Sequence, residues 1–322
     1  MRGVTWLVLG LGCLACNPNA GGLNNQGPPL GEPTTSTDGS TGSSTTVAAD
    51  DGTSSSTSGA TESPTTTAVD PTDDTTGPSK PALVDTELLA RWYVDEADTD
   101  QRPEHVLDSV PPAVDLELIY TNGTPVYALD DGNRGIQWSQ AGRSGRALAP
   151  IDGTKLLDEL GGASEITFEL VISVQAVVSN TSRFLHIGTD DDNGDFVIGA
   201  HMMNVLQVRW DDGDIVRTFD TTLTGQRQVV HVVVDTTQVA EQDRIRAYID
   251  GDALVTPDME APVLGAGLPL KDTSSLVLGN RTDGQRSMRG TLLYAAIYLA
   301  VLELPDIQNN VEVLRGSDDT PM

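Results

Sequence analysis

The sequence predicts an all-β protein, a two-sheet antiparallel jelly-roll sandwich preceded by a disordered linker. Three observations carry this. From Leu83 onward apolar and polar residues alternate with period two, the spacing of a half-buried strand. Gly, Asn and Asp pairs interrupt the alternation at short intervals, and strands do not alternate with helices as a parallel α/β fold would require. Before Leu83 the composition is of another kind altogether.

No aromatic residue occurs between Trp6 and Trp92, and residues 33–78 are about half Ser and Thr. A segment with so little apolar surface cannot offset its own ordering entropy. Residues 17–82 are therefore expected to be a disordered linker, 83–316 the folded domain and 317–322 a short tail. The beginning of the chain reads differently again. Met1-Arg2 precedes the apolar run GVTWLVLGLGCLAC, which is followed by polar NPNAGG. A basic start with about a dozen apolar residues is too short to span a bilayer and fits an export signal over residues 1–16.

Both cysteines of the 322-residue chain lie in that run, so the folded part has no disulfide. A cysteine after a small residue at the end of an apolar signal resembles a bacterial lipoprotein acylation site. Cys16 after Ala15 is favoured because the apolar run ends there, and Cys13 after Gly12 is the other candidate. Acylation would make residues 17–82 a tether with an r.m.s. reach of about 40–50 Å. The expected location is the outer membrane or cell surface, with simple secretion as the alternative.

The net charge is −28. Residues 1–82 hold eight acidic and two basic side chains, which leaves −22 on the remainder. That field repels nucleic acid and anionic lipid, so neither is an expected partner, and the membrane is met only through the lipid anchor.

The predicted strands are, in order, 114–120, 165–174, 182–188, 195–200, 205–210, 215–219, 228–235, 244–250, 275–279 and 291–299. In the second, Ile166, Phe168, Leu170, Ile172 and Val174 share one face. Glu165, Thr167, Glu169, Val171 and Ser173 share the other, which reads as the wet side of a sheet. Asn193-Gly194, Asp212-Gly213 and Asp250-Gly251 are hairpin signals, since both members of such pairs tolerate positive φ. A short helix is expected at 154–160, closed by Gly161-Gly162.

Two longer stretches carry a family likeness. HVVVDTTQVAEQDRIRAYIDGDALV (231–255) resembles a strand pair of laminin-G-like, concanavalin A-like jelly rolls. LVLGNRTDGQRSMRGTLLYAAIYLAVLELPDI (276–307) resembles their closing segment, and TKLLDELGGASEITFELVIS their first long strand with its lead-in. The likeness covers most of 83–315 and implies an extracellular binding module. It departs from the pattern at Leu299-Ala300-Val301, where relatives carry polar residues, which implies extra burial or a contact surface.

Laminarinase-type glycoside hydrolases share this jelly roll, and their active strand reads E-x-D-x-E. Glu165, Thr167 and Glu169 match the spacing, with threonine in place of the aspartate that tunes the pair. No G-x-S-x-G elbow or H-E-x-x-H pair occurs. His105, His186, His201 and His231 are scattered, and His231 reads as a packed strand residue. The expectation is a protein that is not an enzyme, a surface-tethered module that binds an extracellular glycan or protein. A structural or adhesion spacer without a specific small ligand is the alternative, and a laminarinase-type hydrolase the second.

Calcium is the one cofactor for which the sequence offers ligands. The loop TDDDNGD (189–195) and the turn DDGD (211–214) lie at one end of the sheets if strands 182–219 form a meander. Asp190, Asp192, Asp195, Asp211 and Asp214, with Asp191, Asn193 and Asp212 beside them, would supply hard oxygens. The other reading is plain turn formation. Trp138, Trp210 and Tyr248 are the aromatic candidates for a sugar cleft. Trp210 shares a face with Leu206 and Val208, which places it in the core.

Overall fold

The computed structural model describes residues 81–96, 102–121, 126–130, 133–178, 181–189, 194–210, 215–256 and 267–317. The chain divides into two units, residues 1–72 and 73–322, and every described residue belongs to the second. The export signal, the acylation candidates Cys13 and Cys16 and almost all of the linker lie outside the described residues.

Period-two patterning produces strands, as expected. They are β1 (Leu88–Trp92), β2 (His105–Val106), β3 (Leu116–Ile119), β4 (Val126–Asp130), β5 (Asn133–Trp138), β6 (Arg146–Pro150), β7 (Glu165–Ala176) and β8 (Ser182–Gly188). There follow β9 (Phe196–Ala200), β10 (Val205–Trp210), β11 (Ile215–Asp220), β12 (Arg227–Asp235), β13 (Ile245–Ile249), β14 (Asp252–Ala253), β15 (Ser275–Leu278), β16 (Arg289–Tyr298) and one α-helix, α1 (Leu304–Gly316). Each of the ten strands read from the sequence is present within a residue or two at most ends. The short edge strands β2 and β14, and β1, β4, β5 and β6, carry weaker alternation and were not foreseen.

Among the described residues the strands form two eight-stranded antiparallel sheets. One runs β14-β13-β12-β7-β16-β5-β4, with β1 also paired to β16, and the other runs β11-β10-β9-β8-β15-β6-β3-β2. The ten residues of β16 serve two partners on one side: β5 pairs with Gly290–Leu292 and β1 with Ala295–Tyr298. β8 to β11 form the expected meander, so the last residues of β8 and β10 and the first of β9 and β11 lie at one end of the sheet. The β13–β14 hairpin turns on Asp250 (φ 55) and Gly251 (φ 86), the two positive φ values that its Asp-Gly pair predicted.

Between the sheets lies the main core. Ile166, Phe168, Leu170, Ile172 and Val174 meet Phe196, Ile198, Leu206, Val208 and Trp210, and Phe168 stacks on Phe196 at 4.6 Å. A second core lies on the far face of the first sheet. There Val171, Val229, Val233, Tyr294 and Tyr298 are covered by Leu302, Ile307, Val311 and Leu314 of α1 and its approach, with Leu83 and Val84 alongside. That face is therefore not wet. Thr167 and Glu169 are fully buried and Ser173 nearly so, while Glu165 at the strand's start and Gln175 near its end are exposed.

The helix α1 was not expected, yet its signature stands in the sequence. Pro305 occupies the first turn, and Ile307, Val311 and Leu314 recur at i, i+4 and i+7, one apolar stripe. The short helix expected at 154–160 is a single helical turn at Leu156–Leu160. Leu299 and Val301 pack against the two cores, so the apolar departure at 299–301 serves burial.

Candidate functional site

Of the polar side chains taken out of water, two groups are built on opposite plans. The first stands on the far face of the first sheet, beneath α1. Antiparallel register sets Glu169 on β7 directly opposite His231 on β12, with Ala296 of β16 on its other side. Glu169 Oε1 receives His231 Nε2 at 2.7 Å and Asn310 Nδ2 of α1 at 3.0 Å. Its Oε2 receives Tyr298 OH at 2.8 Å and Tyr294 OH at 3.1 Å. Four donors thus fill the acceptor capacity of one carboxylate. Burial alone would push the Glu169 carboxyl up, but the bond and charge of His231, with the bonds from Tyr298 and Asn310, hold it below the usual range. Burial and the Glu169 charge push both tyrosines up, so they remain hydroxyl donors.

Arg91 of β1 extends this network. Its Nε donates to Tyr294 OH at 2.9 Å, its Nη1 pairs with Asp85 at 2.7 Å and its Nη2 donates to the Val84 carbonyl at 3.0 Å. Asn310 Oδ1 in turn accepts the Val84 amide at 2.9 Å. The segment entering the domain, the sheet and the C-terminal helix are thereby bound through one carboxylate. Thr167 fastens the same helix by its approach: its hydroxyl donates to the Ala300 carbonyl (2.8 Å) and accepts the Leu302 amide (3.0 Å). An aspartate at this place could accept but not donate, which accounts for threonine in the E-x-T-x-E stretch. Glu165 in solvent and Glu169 under the helix do not converge on a common cleft.

The second group lies where the two sheets end side by side. β11 is the edge of one sheet and β13–β14 the edge of the other. Between them a half-open cleft of about 200 Å³ is lined by Arg217, Phe219, Gln242, Asp243, Ile245, Arg246, Ala247, Tyr248, Ala253, Leu254 and Thr256. Arg217 stands two residues before Phe219 on β11, so alternation turns its side chain between the sheets with the core residue Phe219. Only 7% of Arg217 is exposed. Its Nη2 donates to the Gln242 carbonyl (3.0 Å) and to Thr256 Oγ1 (3.1 Å), and its Cζ lies 6.0 Å from the Phe219 ring centre. Its Nε is buried with no acceptor, and no carboxylate among the described residues lies within 4 Å of the guanidinium. Burial lowers the Arg217 pKa, and the Asp243 charge offsets part of that.

The residues singled out in the sequence are distributed as follows. Trp138 and Trp210 are in the core, and only Tyr248 borders the cleft, so the three form no aromatic platform. Asp190, Asp192, Asp211 and Asp214 of the calcium reading lie outside the described residues. Asp195 is buried; its Oδ2 accepts the Lys271 amide (3.0 Å) and Ser274 Oγ (2.6 Å), and its Oδ1 pairs with Lys271 Nζ (3.2 Å). Among the described residues no group of three or more His, Cys, Asp or Glu is placed to hold a metal. His231 is the packed strand residue foreseen, while His105 is exposed and His201 half-buried. His186 is buried against Thr282, and burial with the nearby Arg183 and Arg281 charges lowers its pKa to about 3. Arg217 was not foreseen. Its signal was a lone cation at a core-facing position of IVRTF.

No family model matches the chain, and no curated protein matches it. Solved structures do. A Trypanosoma rangeli sialidase in complex with a difluoro-KDN is similar at TM-score 0.51 and 16% identity, covering 73% of this chain and 34% of that one. The same sialidase in complex with sialic acid gives TM-score 0.50 and 15% identity over the same shares. The binding domain of botulinum neurotoxin serotype D/C gives 0.48 and 11%, covering 71% and 52%. The chain thus spans about a third of the length of the sialidases it matches. At these identities the likeness shows the fold, a two-sheet antiparallel β-sandwich. It also corrects one expectation. The matched sialidases are enzymes, so the lack of a familiar catalytic motif does not make this protein a non-enzyme, and that reading is withdrawn.

Proposed function

We propose that the folded unit is an extracellular module that holds a glycan or protein partner, of the laminin-G-like kind, carried at the cell surface on a tether acylated at Cys16. The observation that carries the binding role is the cleft between the sheet edges, where apolar residues and the polar groups of Arg217, Gln242, Asp243, Arg246 and Thr256 share one concave surface. The sialidase of similar fold that is described in complex with sialic acid supports a sugar as the occupant. The strongly acidic folded part keeps such a module away from anionic lipid headgroups and nucleic acid.

Glycan-array binding by the exported chain tests the role. Signal on a defined subset of glycans supports it; uniform silence on glycans, together with no retained protein from surface extracts, refutes it. Membrane fractionation of a Cys16→Ala variant tests the anchor. Release of the variant into the medium is the expected result, and unchanged partitioning would exclude acylation at this residue.

A further inference from the structure

We infer that Arg217 is the receptor for a carboxylate, and that the cleft it borders is a subsite for one acidic sugar residue. This rests on the glycan reading above and narrows it. Buried cations are ordinarily paired, because an unpaired charge in low dielectric is costly. The folded part of this chain has a large excess of acidic side chains over basic ones. A carboxylate partner for Arg217 would have been easy to supply. Among the described residues none stands within ion-pair distance, and the Asp243 charge nearby offsets only part of the burial. Gln242 and Thr256 instead fix the guanidinium through Nη2 with two neutral acceptors, which orient it without neutralising it. The Nε hydrogen, buried and without an acceptor, is the kind of donor that a ligand or ion completes.

The surroundings select among anions. The cleft residues carry two arginines, Arg217 and Arg246, against one aspartate, Asp243. That excess suits a single negative charge, whereas a phosphate dianion would face the field of the acidic domain with its second charge uncompensated. At about 200 Å³ the space is below that of a drug-sized pocket, so it takes one sugar ring of a longer chain and not a whole oligosaccharide. The half-buried Tyr248 and Leu254 offer apolar surface to the face of such a ring, and the planar guanidinium matches a carboxylate better than an ammonium would.

The test is an NMR titration of the ¹⁵N-labelled exported chain with sialic acid and with glucuronate, using glucose as the uncharged control and inorganic phosphate as the dianion control. At least one of the two acids should shift the amides of Phe219, Ala247, Ala253 and Leu254, and glucose should not. Arg217→Gln should weaken that binding about tenfold or more, the loss expected of a charge-assisted hydrogen bond, and Arg217→Lys by less. If Arg217→Gln does not fold, the wild-type shift map and Thr256→Val, which frees the guanidinium from one orienting acceptor and should weaken binding severalfold, decide the matter. The inference is overturned by equal binding of glucose, by tighter binding of phosphate, by shifts confined to other regions, by undiminished affinity in Arg217→Gln, or by no binding of either acid. A chain that fails here but marks defined glycans on an array retains the wider binding role; silence in both removes both.

Discussion

Glu169 and Arg217 are both buried charges on strands of one sandwich, and they have been treated in opposite ways. Glu169 is central in its sheet, is roofed by α1, and receives four donors from three elements, β12, β16 and α1. Arg217 sits at a sheet edge beside a cleft, with two neutral acceptors on one nitrogen and an unpaired Nε. A fully satisfied charge contributes uniqueness of packing, because each donor fits only one arrangement of sheet and helix. An incompletely satisfied one retains free energy to spend on a ligand. The chemistry of the side chain does not separate these roles. Position in the sheet does.

The largest test of this contrast is Glu169→Leu. It strands His231, Tyr294, Tyr298 and Asn310 without their acceptor, and should cost about 3–5 kcal/mol, read as a lowered urea midpoint. A loss below 1 kcal/mol would mean that the network is not what holds the helix down.

The next effect is pH dependence through His186. Its pKa is about 3 in the folded state against an ordinary value of 6.5. Between those values the unfolded chain binds a proton that the folded chain refuses, so stability is fully present above 6.5 and is lost as pH falls toward 3. The slope is about 1.4 kcal/mol per pH unit, which from pH 7 to 4.5 removes about 2–3 kcal/mol. His186→Gln should flatten this part of the profile in urea titrations. Below the ordinary glutamate range the depressed Glu169 carboxyl adds a loss of the same sign, and Glu169→Leu should lack it.

Smaller again is Asn310→Ala, which removes one donor to Glu169 and the acceptor of the Val84 amide. A cost of about 1–3 kcal/mol is expected, with faster amide exchange at Val84 as the specific sign. Smallest is Arg217→Met without ligand, where the change should stay within about 1 kcal/mol and can be stabilising, since an unpaired buried charge is exchanged for an apolar side chain of similar length. A loss as large as that of Glu169→Leu would make Arg217 a structural residue and erase the contrast.

Much of this molecule is legible in the chain. The alternation of EITFELVISV places five side chains in the core as read, and the Asp250-Gly251 turn has the φ values that its residues demand. The polar face of the same strand misleads, because alternation reports that two faces differ and not whether the second meets water. What covers it is a helix about 140 residues later in the chain, whose stripe of Ile307, Val311 and Leu314 could have been read but not assigned to that sheet. The cleft could not be read either, since the sequence separation between Arg217 and Thr256 conceals that two different sheets end beside each other there.

The sequence by itself determined ten of the sixteen strands, the hairpin, the main-core face of β7 and the acidic field, since each follows from local periodicity, turn chemistry or a sum of charges. Only the tertiary structure decided that Glu169 is sealed and Arg217 left wanting a partner. Burial and pairing depend on which distant segments lie over a residue, and no local pattern encodes that.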